Sequence, residues 1–215
     1  MRHLKSLAFL MAAAVMSASC STIYYDTLEN FGIEKRDVLA DRVEDGQRAQ
    51  TQAQETFVDA LERYRSVVAV DGGDLERTYD KLSASYDRMS SEADRVRGRI
   101  DEIEDVASAL FREWERELDA YTDASLRRRS AAQLNDTKAR YGQLISSMNR
   151  AAGQMDPVLA IFSDQVLFLK HNLNARAIAS LDDETVEVER RVDALIREMD
   201  AAIREANAFI AHLDG

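Results

Sequence analysis

The sequence predicts an all-α protein, an elongated bundle of three to four long antiparallel helices that pack like a coiled coil. Helix breakers are rare, because the 215 residues include only one proline and eight glycines. Hydrophobic residues make up 46% of the chain and charged residues 31%, a balance that argues against a disordered protein. Apolar residues recur at alternating spacings of four and three, which is the heptad pattern of a left-handed supercoil.

The clearest heptad seam runs from residue 75 to residue 121 and predicts one helix of about 70 Å. No alternating pattern typical of a β-strand competes with it. The residues expected to face the core are Leu75, Tyr79, Leu82, Tyr86, Met89, Ala93, Val96, Ile100, Ile103, Ala107, Leu110, Trp114, Leu118 and Tyr121.

Three other segments, residues 34–70, 124–155 and 184–213, repeat this spacing and predict further helices. The first seam is weaker at its start, where Gly46 and Gln50 fall on core positions. The core residues expected in the three segments are Val43, Ala53, Phe57, Ala60, Tyr64 and Val67, then Leu134, Tyr141, Leu144, Met148, Ala151 and Met155, then Val188, Val192, Leu195, Met199, Ala202, Ala206, Phe209 and Leu213.

Turn residues separate the predicted helices. We expect turns at "DGGD" (71–74), "YTDAS" (121–125) and "SLDDE" (180–184), each of which offers a capping acid. Pro157 follows Asp156, so it either begins a helix or kinks one long helix. The heptads leave open whether the seams meet within one chain or whether a helical hairpin completes its core in a homodimer.

The N-terminus has the features of an export signal. Residues 1–19 combine a basic start, an apolar run and small residues, and the run is too short to read as a membrane-spanning helix. Cys20, the only cysteine, then resembles the lipidated first residue of a bacterial lipoprotein, although Ser17 stands where Leu is usual. Ordinary signal-peptidase cleavage, which leaves a free thiol, and an uncleaved anchor are the alternatives.

Cleavage before Cys20 predicts three parts of the chain: the signal peptide, a lipid-anchor linker at residues 20–33, and a single helical domain at residues 34–215. Ser21 follows the cysteine, and a residue other than aspartate there favours the outer membrane. We therefore expect a protein anchored by lipid on the periplasmic side, with a soluble periplasmic protein as the alternative. One cysteine offers the fold no disulfide bond.

Residues 164–181, "DQVLFLKHNLNARAIASL", combine an apolar helical pattern with several polar residues. On a helical wheel the segment is apolar on more than one side, which suits the most buried helix of a bundle or a helix shared with a second chain. His171, Asn172, Asn174 and Arg176 are then either polar residues that fix helix register or a partner-binding site.

Arg127, Arg128 and Arg129 form the second candidate cluster, just after a predicted turn. Guanidinium groups pair well with phosphates, so these arginines are candidates for contact with anionic lipid. The alternative is the solvated start of a helix.

Signatures of enzymatic chemistry were not found in the sequence. Neither His171 nor His212 has the Glu-x-x-His spacing of a di-iron bundle, and no zinc pattern, phosphate-binding glycine loop or nucleophile elbow occurs. Glu113 and Glu117 lie one helical turn apart, but an exposed face explains them better than a cation site. The net charge of −11 lacks the basic footprint of a nucleic-acid-binding protein. We expect no enzyme activity, cofactor, metal or nucleic-acid partner.

Five segments of the chain resemble domain-of-unknown-function family 2959, a family of predicted bacterial lipoproteins. They are "GIEKRDVLADRVEDGQRAQTQAQETF", "DGGDLERTYDKL", "ALFREWERELDAY", "SLRRRS" and "PVLAIFSDQVLFLKHNLNARAIASL". The resemblance implies a helical cell-envelope protein that begins with a signal and a cysteine, and it supplies no catalytic residues.

These observations predict a non-enzymatic cell-envelope lipoprotein that acts as a helical scaffold, spacer or adaptor through protein–protein contacts. Its expected partners are the membrane, through the N-terminal lipid, and an unidentified envelope protein. The alternative function is a helical module in the periplasm that binds membranes or lipid.

Overall fold

Four long helices make up the described part of the computed structural model, which comprises residues 34–68, 75–172 and 175–214. No strand occurs within these ranges, and the predicted all-α bundle is confirmed. A short 3-10 turn, Leu118–Ala120, extends the second helix. The helices are α1 (Lys35–Val68), α2 (Leu75–Glu117), α3 (Ala124–His171) and α4 (Ala175–Asp214).

Each helix packs against the next one along the chain, and α4 packs back against α1. Hydrogen bonds between α1 and α4 join Gln47 to Asn207 at 3.0 Å and Arg65 to Glu189 at 2.6 Å, so the two helices run in opposite directions. The other three pairs of neighbouring helices are also antiparallel. The side-chain contacts that show this are Lys35–Glu113 and Arg95–Gln52 between α1 and α2, Arg97–Asp156 and Lys138–Glu115 between α2 and α3, and His212–Thr137 and Arg150–Glu198 between α3 and α4. The fold is therefore an up-and-down four-helix bundle.

The buried residues follow the predicted seams. All six core residues expected in α1 and all eight expected in α4 are buried, and most of those in α2 and α3 are buried as well. Tyr79, Tyr86, Trp114, Leu118 and Tyr141 are partly buried and pack against this core. The heptads therefore identified the inner faces of the helices, and these faces meet within one chain.

In the second half of the chain the structure decides between the two alternatives for Pro157 and corrects the position of the third turn. Pro157 does not begin a helix but lies inside α3. The third turn is not at residues 180–184, which are helical, because α3 ends at His171 and α4 begins at Ala175. Asn172 ends α3 with φ −130° and ψ 53°, and its backbone N–H donates to the Leu169 carbonyl oxygen. Asparagine readily adopts such non-helical backbone, which explains the earlier turn.

Gly46 allows two core side chains to approach α1 closely. A Cβ atom at this position would lie 2.8 Å from Ile103 Cδ1 and 2.8 Å from Met148 Cε. The glycine that weakens the seam in the sequence therefore makes room for large side chains of α2 and α3. The helical Gly153, in contrast, has no such neighbour within 4 Å.

Gln50 is a fully buried polar residue in the same seam. Neither its side-chain nitrogen nor its side-chain oxygen has a hydrogen-bond partner among the described residues. A buried amide without a partner costs free energy that an apolar side chain of similar size would not.

The antiparallel order gives the bundle two distinct ends. Lys35, Glu117, Ala124 and Asp214 mark the end at which the chain enters the bundle, here called the entry end. The opposite end, here called the distal end, is marked by Val68, Leu75, His171 and Ala175. With 48 residues, α3 extends for about 70 Å between them.

We predict that Gln50→Leu raises the free energy of unfolding by about 1–3 kcal/mol, because it replaces an unpaired buried amide with an apolar group. Chemical denaturation monitored by circular dichroism measures the change. The exposed Gln143→Leu is the matched control and should change stability by less than about 0.5 kcal/mol. A loss of stability in Gln50→Leu would mean that the amide is hydrogen-bonded in solution.

We predict opposite effects of leucine at two helical glycines. Gly46→Leu should lower the free energy of unfolding by about 1–3 kcal/mol, because the new side chain meets Ile103 and Met148. Gly153→Leu should raise it by about 0.5–1 kcal/mol, because a helix is disfavoured by glycine and the site is open. Thermal unfolding measures both changes. If the two variants changed the unfolding temperature in the same direction and by the same amount, close packing at Gly46 would be contradicted.

Candidate functional site

The two residue clusters that the sequence singled out lie at opposite ends of the bundle. His171 and Asn172 stand at the distal end, where α3 stops, whereas Arg127, Arg128 and Arg129 occupy the first turns of α3 at the entry end. About 40 helical residues separate the clusters, which corresponds to roughly 60 Å. The structure does not bring them into one site, so each end is a separate candidate.

At the distal end, His171 is exposed and is the last residue of α3. The Asn172 side-chain amide donates to the Phe168 carbonyl oxygen at 3.0 Å, which helps to cap the helix. Asn174 lies outside the described residues. Arg176 belongs to the first turn of α4, and its side chain also lies outside the described residues.

Two large apolar side chains are exposed next to His171. Leu167 is 57% exposed and Phe168 is 41% exposed, although both belong to the last two turns of α3. Of the two alternatives for this segment, the most buried helix of the bundle is therefore wrong, and a helix shared with a second chain stays a prediction. The helix buries Phe162 and Leu169 against the other helices and presents Leu167 and Phe168 to solvent. Exposed apolar side chains next to polar ones are typical of protein contact surfaces.

Tyr64 fixes the helices beneath this distal surface. Its side chain is fully buried, and its hydroxyl donates to the Leu181 carbonyl oxygen at 2.7 Å. Its ring meets the Phe162 ring edge-on, with 5.7 Å between the ring centroids. One residue of α1 therefore contacts both α3 and α4, which holds the start of α4 against the end of α3.

At the entry end, an open cleft of about 630 Å³ lies between α1, α2 and α3; it is here called the entry cleft. Its lining mixes apolar, acidic and basic side chains. The lining residues are Glu34, Lys35, Arg36, Leu110, Glu113, Trp114, Glu117, Tyr121, Leu126, Arg129, Ser130 and Gln133. The cleft therefore adjoins the point where the chain enters the bundle.

The three arginines differ in their surroundings. Arg127 donates to Asp119 at 2.7 Å, which ties the start of α3 to the end of α2. Arg129 lines the entry cleft. Arg128 is exposed, and within the described ranges neither it nor Arg129 forms an ion pair. Two of the three guanidinium groups therefore have no carboxylate partner in the part of the chain that the structure describes.

Asp123 determines where α3 begins. Its carboxylate accepts the backbone N–H groups of Ser125 at 2.6 Å and Leu126 at 3.2 Å, which makes it the N-cap of the helix. Hydrogen bonding by the Ser125 side chain and then by these N–H groups lowers the pKa of Asp123. The predicted turn at residues 121–125 is confirmed by this cap.

Trp114 and Tyr121 were both expected in the core, and the structure corrects this expectation in part. Trp114 is half-buried, packs against the core, and donates its indole N–H to the Ser130 hydroxyl at 2.8 Å. Tyr121 is exposed because α2 ends at Glu117 and the chain is extended at Tyr121, with φ −68° and ψ 124°. Heptad spacing continues to Tyr121 and gives no signal of this helix end.

Among the residues described, no group of three or more histidine, cysteine, aspartate or glutamate side chains is placed to hold a metal ion. Glu113 and Glu117 are the two carboxylates that the sequence places one helical turn apart. Glu113 lies 3.0 Å from the ammonium group of the buried Lys35. No described helix is both long enough and apolar enough to cross a membrane.

Comparison with protein families identifies this chain. Residues 24–213 match the family described as protein of unknown function (DUF2959), so the chain belongs to that family. The match begins ten residues before Glu34 and ends at the last turn of α4. No curated protein and no solved structure matches the chain.

Proposed function

We propose that this protein is a non-enzymatic cell-envelope lipoprotein that acts as a helical spacer and adaptor. In this proposal, lipid on Cys20 tethers the entry end to a membrane, and the distal end contacts a protein partner. The periplasmic face of the outer membrane is the proposed location, because Ser21 follows the cysteine. The protein partner is a second envelope component that binds Leu167, Phe168 and His171.

One observation carries the proposal: the chain enters the bundle at one end, and the neighbouring pair of exposed apolar residues Leu167 and Phe168 of α3 lies at the other. Leu167 and Phe168 are about 60 Å from the start of α3 at the entry end. Four helices that bury one another's seams form a stiff rod, which can hold a contact surface at a fixed distance from a tether. Such a separation is useful to a spacer and has no evident use in a small catalytic domain.

The distal surface has the composition of a modest protein contact. An aromatic and an aliphatic side chain are exposed beside His171 and the exposed Lys170. Apolar anchors surrounded by polar residues are common at the centres of protein interfaces. The buried Tyr64 and Phe162 beneath them hold the backbone in place, so little ordering is needed when a partner binds.

A second function, binding to anionic lipid, is favoured by the arginines at the entry end. Arg128 and Arg129 lack ion pairs within the described ranges and lie near the point where the tether would join the bundle. Pairing of guanidinium groups with lipid phosphates would increase the membrane affinity that a single lipid anchor provides. In that case the bundle itself, and not only its tether, would bind the membrane.

We predict that Cys20→Ala releases the protein from the membrane. In a bacterial host, the unaltered chain should sediment with membranes and carry the mass of a diacylglyceryl and an acyl group, because Cys20 is the lipidated residue. The variant should be soluble and should lack this mass. Cell fractionation with intact-mass spectrometry measures both properties.

A soluble unaltered chain with a free Cys20 thiol would contradict the tether. Ser17→Leu is a useful companion variant, because it restores the residue usual at that position of a lipoprotein signal. It should increase the lipidated fraction if processing of the natural signal is incomplete.

We predict that a photo-crosslinking side chain at position 168 captures an envelope protein, whereas one at position 126 does not. Phe168 and Leu126 are similarly exposed, at 41% and 44%, but lie at opposite ends, so Leu126 is the matched control. Crosslinking in intact cells followed by mass spectrometry measures the products. Equal capture at both positions would contradict a partner surface at the distal end, and an adduct of twice the chain mass would identify a second copy as the partner.

We predict that the Cys20→Ala protein does not float with vesicles of zwitterionic and anionic phospholipid, because the apolar faces of its helices are buried in the bundle. Flotation through a density gradient measures binding. If the protein floats, and Arg128→Ser with Arg129→Ser abolishes flotation, the lipid-binding function replaces the spacer. Arg140→Ser with Arg150→Ser is the control for the loss of two arginines elsewhere on α3.

A further inference from the structure

We propose that the outer side of the α2–α3 pair, in the distal half of the bundle, binds a basic amphipathic helix of the partner protein. The proposal rests on the adaptor function proposed above and names the kind of segment that the partner presents. The binding surface, here called the outer face, consists of Gly153, Pro157, Ala160, Asp164, Leu167 and Phe168 of α3 and Asp87, Asp94 and Asp101 of α2.

The outward side of α3 carries little charge in its distal half. Gly153, Ala160 and Leu167 are spaced by seven residues, so they lie on one side of the helix, and all three are exposed. Phe168 is exposed beside Leu167. Residues 151–169 contain two charged side chains, both of them aspartates. This side of α3 is therefore a strip of small residues that ends in two large apolar side chains.

Pro157 leaves a hydrogen-bond acceptor on this strip. In a regular α-helix the N–H of residue 157 would donate to the carbonyl oxygen of Gly153, but proline has no N–H. Gly153 has no side chain to cover that oxygen, and no described side chain lies within 4 Å of the position that its Cβ would take. The Gly153 carbonyl oxygen is therefore accessible to a donor on a docked partner.

A row of aspartates follows α2 beside this strip. Asp87, Asp94 and Asp101 repeat every seven residues, and all three are exposed. Asp94 and Asp101 lie one helical turn before and after Arg97, which pairs with both Asp94 and Asp156 of α3. The row therefore lies on the side of α2 that adjoins α3. Asp87 and Asp101 form no ion pair with any described residue.

The acidic row and the strip of α3 are level with each other along the bundle. Arg97 of α2 lies opposite Asp156 of α3. Because the two helices are antiparallel, the row from Asp101 to Asp87 is level with residues 152–166 of α3. The two features therefore share about 20 Å of the bundle, which is roughly four helical turns. They belong to different helices, and together they form one surface.

The shape of the outer face suits a helix. About 15 helical residues would cover its length. Gly153 and Ala160 of α3 allow another backbone to approach closely, and Gly98 does the same between Asp94 and Asp101 of α2, where no described side chain lies within 4 Å of a Cβ position. The apolar side of such a helix would cover Leu167 and Phe168, as in other helix-in-groove contacts.

Charge selects the partner. The carboxylates of the outer face and the Gly153 carbonyl oxygen only accept hydrogen bonds, so they suit lysine and arginine side chains, which only donate. The same carboxylates would repel the phosphates of an anionic membrane. A second copy of this chain, with a net charge of −11, would bring the same aspartates to a symmetric contact. The outer face therefore fits a basic helix of another protein.

Two synthetic peptides of about 18 residues test this chemistry. Each has leucine and alanine on one side of a helix; the first has lysine on the other side, and the second has glutamate there. The lysine peptide should bind the purified full-length protein, and the glutamate peptide should not, as measured by fluorescence anisotropy. Absence of binding by the lysine peptide, or equal binding of both peptides, would overturn the proposal.

Gly153→Leu separates binding from folding, because the added side chain is expected to stabilise α3 and also occupies the outer face. It should weaken binding of the lysine peptide by about tenfold or more. Gly142→Leu is the matched control: Gly142 is an equally open glycine of α3 that lies nearer the entry end, and its replacement should change the affinity by less than about twofold. Equal affinities of the two variants would place the peptide elsewhere and overturn the proposal.

Asp87→Asn with Asp101→Asn tests the charge of the outer face. The double variant should bind the lysine peptide more weakly, and its affinity should depend less on salt concentration. Asp41→Asn with Asp59→Asn removes two exposed aspartates from α1 and is the control. If both double variants lost the same affinity, net charge and not the outer face would be responsible, and the proposal would be wrong.

Crosslinking in intact cells distinguishes this proposal from the adaptor function on which it rests. Capture by the photo-crosslinking side chain at position 168 should be lost in the Gly153→Leu background and retained in the Gly142→Leu background. Undiminished capture in the Gly153→Leu background would overturn the outer face and leave the adaptor function standing. No capture by the otherwise unaltered chain would contradict the adaptor function, whereas the peptide measurements decide on the outer face by themselves.

Discussion

Mutual burial of four heptad seams is the constraint on which the rest of this structure depends. Each helix is amphipathic, and a single amphipathic helix gains little stability until its apolar face is covered. The contacts of α1 with α2, α2 with α3, α3 with α4 and α4 with α1 cover all four faces. Gly46 shows how closely the layers fit, because Ile103 and Met148 occupy the space that its side chain would need.

The same packing determines where the chain can act. The core extends along the whole bundle, and the two candidate surfaces lie at its two ends. At the entry end an open cleft lies beside two arginines that form no ion pair with any described residue. At the distal end Leu167 and Phe168 are exposed over a support that includes Tyr64. The proposed spacer function follows from this separation rather than from any one residue.

The sequence predicted the inner faces well because burial in long helices follows a simple period. Phe57 and Tyr64 of α1 and Leu195 and Phe209 of α4 were all assigned to the core from spacing alone. Helix ends were harder, because they depend on local backbone geometry that spacing does not encode. Asn172 ends α3 where the apolar pattern continues, and the extended backbone at Tyr121 exposes a residue that fits the seam. Residue type was sufficient to select the candidate residues from the sequence. Only the order and direction of the helices showed that the two clusters lie at opposite ends of the bundle.

Small-angle X-ray scattering of residues 34–215, combined with a measured mass, tests the central claim most directly. Four helices packed within one chain should give a monomer about 70 Å long and about 22 Å wide, with a radius of gyration of about 22 Å. A compact globular chain of this length would have a radius of gyration of about 16 Å. A value near 16 Å, or a mass twice that of the chain, would contradict a single-chain rod that separates a tether from a contact surface.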